Sequence, residues 1–178
     1  MLELVAKGDF SPSAARVADK AGVGLRTVFR HFDDMDSLHR EISETIAAQI
    51  QPIVTRPFVG ATWRDRLMEL AARRADYFEA TLPHRISANL RRHQSAFLMA
   101  QYNRLIRSER QAVEEVLPPS VLANRVLLEG VHVALSFQCW RVLRHDQQLP
   151  AKDAGAVVRN MLLALTNARV TDDDAPII

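Results

Sequence analysis

Apolar residues recur at three- and four-residue spacing along almost the whole chain, and no stretch of useful length alternates as a β-strand does. Glycines and prolines divide this pattern into segments. We therefore predict an all-α fold of about nine helices, near residues 1–7, 12–20, 24–31, 35–50, 62–81, 84–92, 94–116, 120–145 and 152–168. The terminal segment TDDDAPII is expected to be frayed.

The stretch QPIVTRPFVGAT contains two prolines and a glycine, as interhelical linkers commonly do. It predicts a boundary between a head with a three-helix core, residues 1–50, and a helical body, residues 51–178. The head has six lysines and arginines against eight acidic residues, a net charge of −2. Any binding of nucleic acid must therefore depend on local geometry rather than on the total charge of the head.

The segment SPSAARVADKAGVGLRTVFRHF predicts two short helices that cross closely. Ser11 is expected to cap the first helix, with Pro12 in its first turn. Gly22 is expected to end that helix in a left-handed conformation, and Val23 to fill the gap between the helices. The residues expected to face the interior are Val17, Ala18, Ala21, Val28 and Phe32.

The same spacing places a different set of side chains on the outer face of the second helix. Arg26, Thr27 and Arg30 are expected to face outward, with Leu25 and Phe29 near the edge. This arrangement is a helix-turn-helix, whose second helix fits the major groove of DNA. The arginines can donate to guanine or to phosphate, and threonine and histidine to phosphate. The pattern alone leaves open an ordinary three-helix core with a solvated, arginine-rich face.

The segment VADKAGVGLRTVFRHFDDMDSL resembles the N-terminal signature of the tetracycline-repressor (TetR) family, I-A-x-x-A-G-V-S-x-x-T-x-Y-x-H-F-x-S-K-x-x-L. The matching residues are Val17, Ala18, Ala21, Gly22, Val23, Thr27, His31, Phe32 and Leu38. The resemblance implies that the chain binds double-stranded operator DNA. It implies contacts to DNA from Ser13, Gly24, Leu25, Arg26, Thr27, Phe29, Arg30 and His31.

Three positions depart from the family pattern. Phe29 stands where the family usually has a tyrosine that contacts phosphate, and Gly24 replaces the serine at the start of the recognition helix. Met35 replaces a lysine near the start of the fourth helix, between the acidic residues Asp33, Asp34 and Asp36. These departures remove contacts to phosphate that the family usually makes, and the affinity for DNA is expected to be modest and strongly sequence-dependent.

The last two predicted helices, residues 120–145 and 152–168, are unusually apolar. A helix that is apolar nearly all round is buried on more than one side, so one side can face a partner. In the resembled family, the last two long helices of each subunit form a four-helix bundle across a two-fold axis. The residues expected at a homodimer interface are Leu128, Val131, Leu135, Val158, Met161, Leu162 and Leu165. The alternative is that both helices complete the core of a monomer.

Two polar stripes interrupt the apolar helices of the body. One contains His132 and continues to Trp140, and the other contains Gln94 and Gln101 on a largely apolar face that includes Phe97. The resemblance implies a pocket here for a small-molecule effector of unknown identity, apolar with a few polar groups. For the stripe that contains His132, hydrogen bonds across the dimer and exposure to solvent are the alternative interpretations.

No constellation of residues indicates an enzyme. The histidines form no pair four residues apart on one helix, as a metal site would require, and there is no glycine-rich phosphate loop. We therefore expect no metal and no cofactor. Cys139 is the only cysteine, which suits a reducing cytoplasm, and no apolar run is long enough for a membrane span. The remaining arginine clusters, Arg73-Arg74, Arg91-Arg92 and Arg104/Arg107, are expected to be solvated.

Together these features predict a ligand-responsive, DNA-binding transcriptional regulator that acts as a repressor and binds a near-palindromic operator as a dimer. The alternative function is that of a helical small-molecule-binding or interaction protein whose head has lost its affinity for DNA.

Overall fold

The computed structural model describes residues 1–167, and all regular structure in that part of the chain is helical. The all-α prediction is therefore confirmed. The α-helices are α1 Leu2–Ala6, α2 Ala14–Ala21, α3 Leu25–His31, α4 Met35–Val54, α5 Trp63–Arg91, α6 Ala96–Glu114, α7 Pro119–Ala123, α8 Arg125–Ala134, α9 Phe137–Arg141 and α10 Ala151–Asn167. A 3₁₀ turn, Arg92–Gln94, precedes α6, and a π-helical turn, Val142–Asp146, follows α9. The tail TDDDAPII and residue 168 of the last predicted helix lie outside the described residues.

Helix α5 joins two helices that the sequence divides at Pro83. Its 29 residues continue through this proline, which cannot donate a backbone hydrogen bond and costs roughly 3 kcal/mol inside a helix. The apolar side chains of Leu67, Leu70 and Phe78 on the same helix are buried. Their burial offsets the cost of the proline, a tertiary effect that the local pattern does not include.

The predicted helix 120–145 is instead divided into three. Asn124 ends α7, and its side chain accepts a hydrogen bond from the Leu127 N–H at 3.1 Å to cap α8. Ser136 caps α9 in the same way, accepting from the Cys139 N–H at 3.1 Å. Asparagine and serine are preferred helix caps, so these two residues indicate helix starts that the continuous apolar periodicity does not indicate.

The chain divides into two compact units whose borders fall within α5 and α6. The first unit comprises Met1–Gln51 and Thr81–Leu105, and the second comprises Pro52–Ala80 with the described residues from Ile106 onward. The sequence-based division at residues 50 and 51 places residues 81–105 in the body, whereas the structure groups them with the N-terminal helices.

Each unit has its own apolar interior. In the first unit, Val5, Val17, Ala18, Val28 and Leu38 are buried. In the second unit the interior is built around aromatic side chains. The ring centroid of Phe78 lies 5.6 Å from that of Phe137, edge to face, and 6.5 Å from that of Trp140, separations at which aromatic pairs stabilise a core.

Arg74 corrects the expectation that the Arg73-Arg74 pair is solvated. Arg74 is buried in the second unit, where Nη1 donates to the backbone oxygen of Leu135 at 2.6 Å. Its Nη2 donates to the backbone oxygen of Glu109. The side chain thus ties the end of α8 to α6 from its position on α5.

No single helix in residues 1–167 is both long enough and apolar enough to cross a membrane. Residues Arg125–Ala134 and Phe137–Asp146 meet the length and composition criteria only as a pair, which is bent by 42°.

Candidate nucleic-acid interface

The start of α2 is fixed by Ser13 rather than by Ser11. The Ser13 hydroxyl accepts a hydrogen bond from the Arg16 N–H at 3.3 Å, and α2 begins at Ala14. The prediction that Ser11 caps this helix is wrong, because Pro12 lies before the helix and is itself buried. Ser11 and the Pro12 carbonyl instead accept hydrogen bonds from Arg91 Nη2, at 3.1 and 3.2 Å.

The turn between α2 and α3 depends on Gly22. Its φ of 68° and ψ of 30° are left-handed, a conformation that costs L side chains energy, so this prediction is confirmed. The Gly22 N–H bonds to the Asp19 carbonyl at 3.2 Å, and the Val23 N–H to that of Ala18 at 3.1 Å, which satisfies the end of α2. Val23 does not fill the gap between the helices as predicted, because it is exposed. Ala21 is also exposed, and the buried Ala18 and Val28 fill that space.

Helix α3 has one buried side and three outward strips. Because each residue advances an α-helix by about 100°, Arg26 and Arg30 lie on the side opposite the buried Val28. Leu25 and Phe29 form one flank and are 45% and 49% exposed. Thr27, half-buried, and His31, exposed, form the other flank. Phe32, expected to be interior, is half-buried at the end of the helix.

The arginines of α3 differ from the cations of α2 in their partners. On α2, Arg16 Nε lies 3.1 Å from Asp9 Oδ2, and Lys20 Nζ lies 2.9 Å from Glu3 Oε2. Within residues 1–167, the exposed Arg26 and Arg30 have neither an ion pair nor a hydrogen bond. Their charges are therefore available to an external anion at no cost in internal contacts.

Two of the three acidic residues after α3 have hydrogen-bond partners within the first unit. The Asp34 carboxylate accepts from the Ser37 N–H at 2.7 Å, and the Ser37 hydroxyl donates to the Asp34 carbonyl at 2.8 Å, which caps α4. Asp36 Oδ1 accepts from the Ser95 hydroxyl at 2.7 Å. The half-buried Met35 is the first residue of α4, and Gly24, before α3, provides no side-chain cap.

Residues 81–105 contact the start of α2 and the first turns of α4, the helices on either side of α3 in the chain. Besides the bonds from Arg91 and Ser95, the guanidinium of Arg40 lies 4.5 Å from the ring centroid of Phe97, a cation–π distance. His39 is buried nearby; burial lowers its pKa, the positive charge of Arg91 lowers it further, and Asp36 opposes both. His39 is thus a neutral side chain in the interior of the first unit.

The effector residues proposed from the sequence occupy different kinds of environment. In the first unit, Gln101 lines a cleft of about 30 Å³ between α5 and α6, together with Arg85, Asn89, Arg92 and Tyr102. This cleft has room for water rather than for a drug-sized molecule. Gln94 is exposed in the 3₁₀ turn, and Phe97 is half-buried under Arg40; neither residue lines this cleft.

In the second unit, the two proposed effector residues lie close to glutamate carboxylates of the same unit. The indole N–H of Trp140 donates to Glu79 Oε1 at 2.8 Å, and Arg144 binds the same carboxylate through Nε at 2.7 Å. These bonds lower the pKa of Glu79, chiefly through Arg144. His132 is buried, with Nε2 3.4 Å from Glu114 Oε1. Local sequence patterns do not predict this cluster, because Glu79 lies more than 60 residues from Trp140 and Arg144.

Four of the seven residues predicted at the dimer interface are interior residues of the protomer. Val131 and Leu162 have no exposed surface, and Leu135 and Val158 are buried. These residues are covered because α8 packs closely on α10. The close approach is at Gly130, where an added Cβ would lie 3.2 Å from Leu165 Cδ2. Leu128, Met161 and Leu165 are half-buried. The apolar residues of α8 that do face solvent are Val126 and Val133, 77% and 61% exposed, which their seven-residue spacing puts on one side of the helix.

Comparison with protein-family models, with curated proteins and with solved structures finds no match to this chain. Among residues 1–167, no three histidine, cysteine, aspartate or glutamate side chains are grouped as metal ligands. The interpretation of the site therefore depends on the geometry of α2, α3 and the residues around them.

Proposed function

We propose that this chain is a DNA-binding transcriptional regulator of the tetracycline-repressor type, acting as a repressor. In this proposal α2 and α3 form a helix-turn-helix, and α3 enters the major groove. The observation that carries the proposal is the pair of exposed arginines without partners, Arg26 and Arg30, directly opposite the buried Val28. A cationic strip on a short outward helix suits both guanine edges and phosphates.

The proposed protein acts as a homodimer. Two subunits would present two recognition helices to successive major grooves, about 34–36 Å apart, on a near-palindromic operator. The exposed Val126 and Val133 share one side of α8, next to Gly130 and the half-buried Leu165 of α10, and they support a partner on that side. This position replaces Val131, Leu135, Val158 and Leu162, which are already buried within one chain.

A small-molecule effector is the proposed input. It can change DNA binding only by binding the DNA-competent and incompetent states unequally, and about 2–3 kcal/mol of coupling changes operator affinity by roughly 30- to 150-fold. The proposal assigns the chain no catalytic step and no cofactor.

The experiment that tests DNA binding is selection of bound duplexes from a random pool with the full chain, followed by affinity measurements at several salt concentrations. We expect an inverted repeat to be enriched, and affinity to fall as salt rises. Failure to enrich any sequence, together with no salt-dependent binding, would reject the proposal. That result would favour a helical small-molecule-binding or interaction protein whose head has lost its affinity for DNA. Two features agree with such a loss: Gly24 provides no side-chain cap for α3, and Phe29 lacks the hydroxyl of a tyrosine.

The dimer has a matched pair of test variants. Val133→Glu places a charge on exposed surface and should yield a folded monomer, whereas Leu162→Glu buries an unpaired charge and should unfold the protein. Sedimentation and circular dichroism measure the two outcomes. A wild-type chain that sediments as a monomer at micromolar concentration would exclude the homodimer.

A further inference from the structure

The outward surface of α3 is asymmetric. Its arginine strip lies between an apolar flank, Leu25 and Phe29, and a polar flank, Thr27 and His31. The apolar flank continues into the turn, where Val23 is 40% exposed. Single exposed apolar residues are ordinary on a protein surface. Three of them within seven residues, beside two arginines without partners, form an apolar patch of the kind found at interaction sites.

The arginine strip indicates what covers this patch. An apolar protein partner that covered Leu25 and Phe29 would also desolvate the guanidinium groups of Arg26 and Arg30, which have no internal acceptor in residues 1–167, and that is costly. A DNA duplex provides acceptors for both groups, at guanine O6 and N7 or at phosphate. The major groove also displays one apolar group, the C5-methyl of thymine, beside those acceptors.

We propose that Leu25 and Phe29 select thymine by packing on its C5-methyl group in the major groove. This inference rests on the proposed DNA-binding function and deepens it, since it names the chemistry of part of the operator. The other flank, Thr27 and His31, then faces the opposite wall of the groove, where hydroxyl and imidazole groups can bond to phosphate oxygens. Phe29 supports this orientation, because an exposed benzyl ring gains nothing from contact with a phosphate.

The inference predicts the composition of each half-site. A guanine contacted by the arginine strip should lie within a base pair or two of one or more thymines on the Leu25 and Phe29 side. These thymines should be recognised through the methyl group and not through hydrogen bonds, because neither side chain has a donor or an acceptor.

Deoxyuridine provides the direct test, because it lacks only the C5-methyl group of thymine and pairs identically. The wild-type protein would be titrated with the operator selected from the random pool and with duplexes in which one thymine position per half-site is replaced by deoxyuridine. Burial of one methyl-sized group corresponds to about a fourfold change in affinity. We expect one or two positions to show this loss of about fourfold per half-site, and the other positions to show none.

The protein variants locate the effect. In Phe29→Ala and Leu25→Ala, the thymine and deoxyuridine operators should bind alike, while Phe29→Leu should keep part of the discrimination. Val59→Ala is the matched control, because Val59 is an exposed apolar residue outside the first unit. Melting curves of the free proteins show whether each variant is folded.

The possible failures are distinguishable. If the wild-type chain selects an operator but tolerates deoxyuridine at every position, or if Phe29→Ala and Leu25→Ala discriminate as well as the wild type, the thymine assignment is overturned while the proposed function stands. If the chain binds no DNA, the proposed function itself fails and the thymine assignment fails with it.

Discussion

Two arginines of the second unit, Arg74 and Arg144, and the two arginines of α3 have opposite surroundings. Arg74 and Arg144 are held by acceptors within their own unit, through the Leu135 and Glu109 carbonyls and the Glu79 carboxylate. Arg26 and Arg30 are exposed and, within residues 1–167, unpaired. The same side chain therefore stabilises the fold in one region and remains available for binding in the other. A count of charges does not separate the two roles.

Among variants that test this contrast, removal of Arg74 should have the largest effect. Arg74→Met keeps much of the side-chain volume but leaves two carbonyl oxygens without their charged donor, which should lower the free energy of unfolding by about 3 kcal/mol. Urea denaturation at neutral pH measures this change. Arg26→Met is the matched control and should stay within about 0.5 kcal/mol of the wild type. Equal losses in the two variants would abolish the contrast between the regions.

The buried His132 and the exposed His31 show the same contrast, and they predict a smaller effect, on the pH dependence of stability. Burial lowers the pKa of His132 below the ordinary 6.5, Arg110 lowers it further, and Glu129 and Glu114 oppose the shift. On acidification, His132 therefore takes up a proton at a higher pH in the unfolded chain than in the folded chain. Its contribution to the free energy of unfolding is fully present above pH 6.5 and falls as the pH drops below that value.

Urea denaturation at pH 7.5 and pH 5.5 tests this pH effect. His132→Gln should lose less stability on acidification than the wild type, whereas His31→Gln, at an exposed position, should lose as much as the wild type. An acid sensitivity that His132→Gln leaves unchanged would assign the effect to other groups, such as the buried His39.

Met35 is the position at which a lysine tests whether the start of α4 approaches DNA. Met35→Lys places a charge at the first residue of α4, close to phosphate if the docking implied by the family resemblance holds. The slope of log affinity against log salt should steepen by roughly 0.9, equally on operator and unrelated DNA. A variant that melts like the wild type yet keeps the wild-type slope would show that the start of α4 does not approach the DNA backbone.

The smallest expected effect is at Gly24. An added Cβ meets no atom within 4 Å, and the backbone φ of −69° suits any residue. Gly24→Ser should therefore supply the missing cap of α3 and stabilise the protein by a few tenths of a kcal/mol. Thermal melting measures it, with Gly22→Ser as the control that should destabilise, since Gly22 has a left-handed φ of 68°.

The local features of the head could be predicted from the sequence, because they depend on neighbours in the chain. The left-handed Gly22, the buried Val28 and the outward arginines all follow from helical spacing and glycine chemistry. The start of α2 lies two residues later than the sequence predicts, because serines flank Pro12 on both sides and it is Ser13 that makes the cap.

Features that join distant residues could not be predicted in this way. Arg74 lies 61 residues from Leu135, and nothing in the local pattern around Arg73 and Arg74 indicates that one of them is buried. The continuity of α5 through Pro83 likewise depends on tertiary burial. Four of the seven predicted interface residues are interior for a related reason. An apolar pattern indicates that a side of α8 is covered but does not show whether the cover is α10 or a second subunit.

The operator affinities of Arg26→Ala and Arg30→Ala test the central claim most directly. They should be measured on the operator selected by the wild-type protein, with Arg104→Ala as a control for an exposed arginine elsewhere in the first unit. We predict that each α3 variant melts like the wild type but loses about 1–3 kcal/mol of binding free energy, with relaxed preference at one position per half-site, and that Arg104→Ala binds normally. Unchanged operator affinity in both α3 variants would contradict the assignment of this helix to DNA recognition.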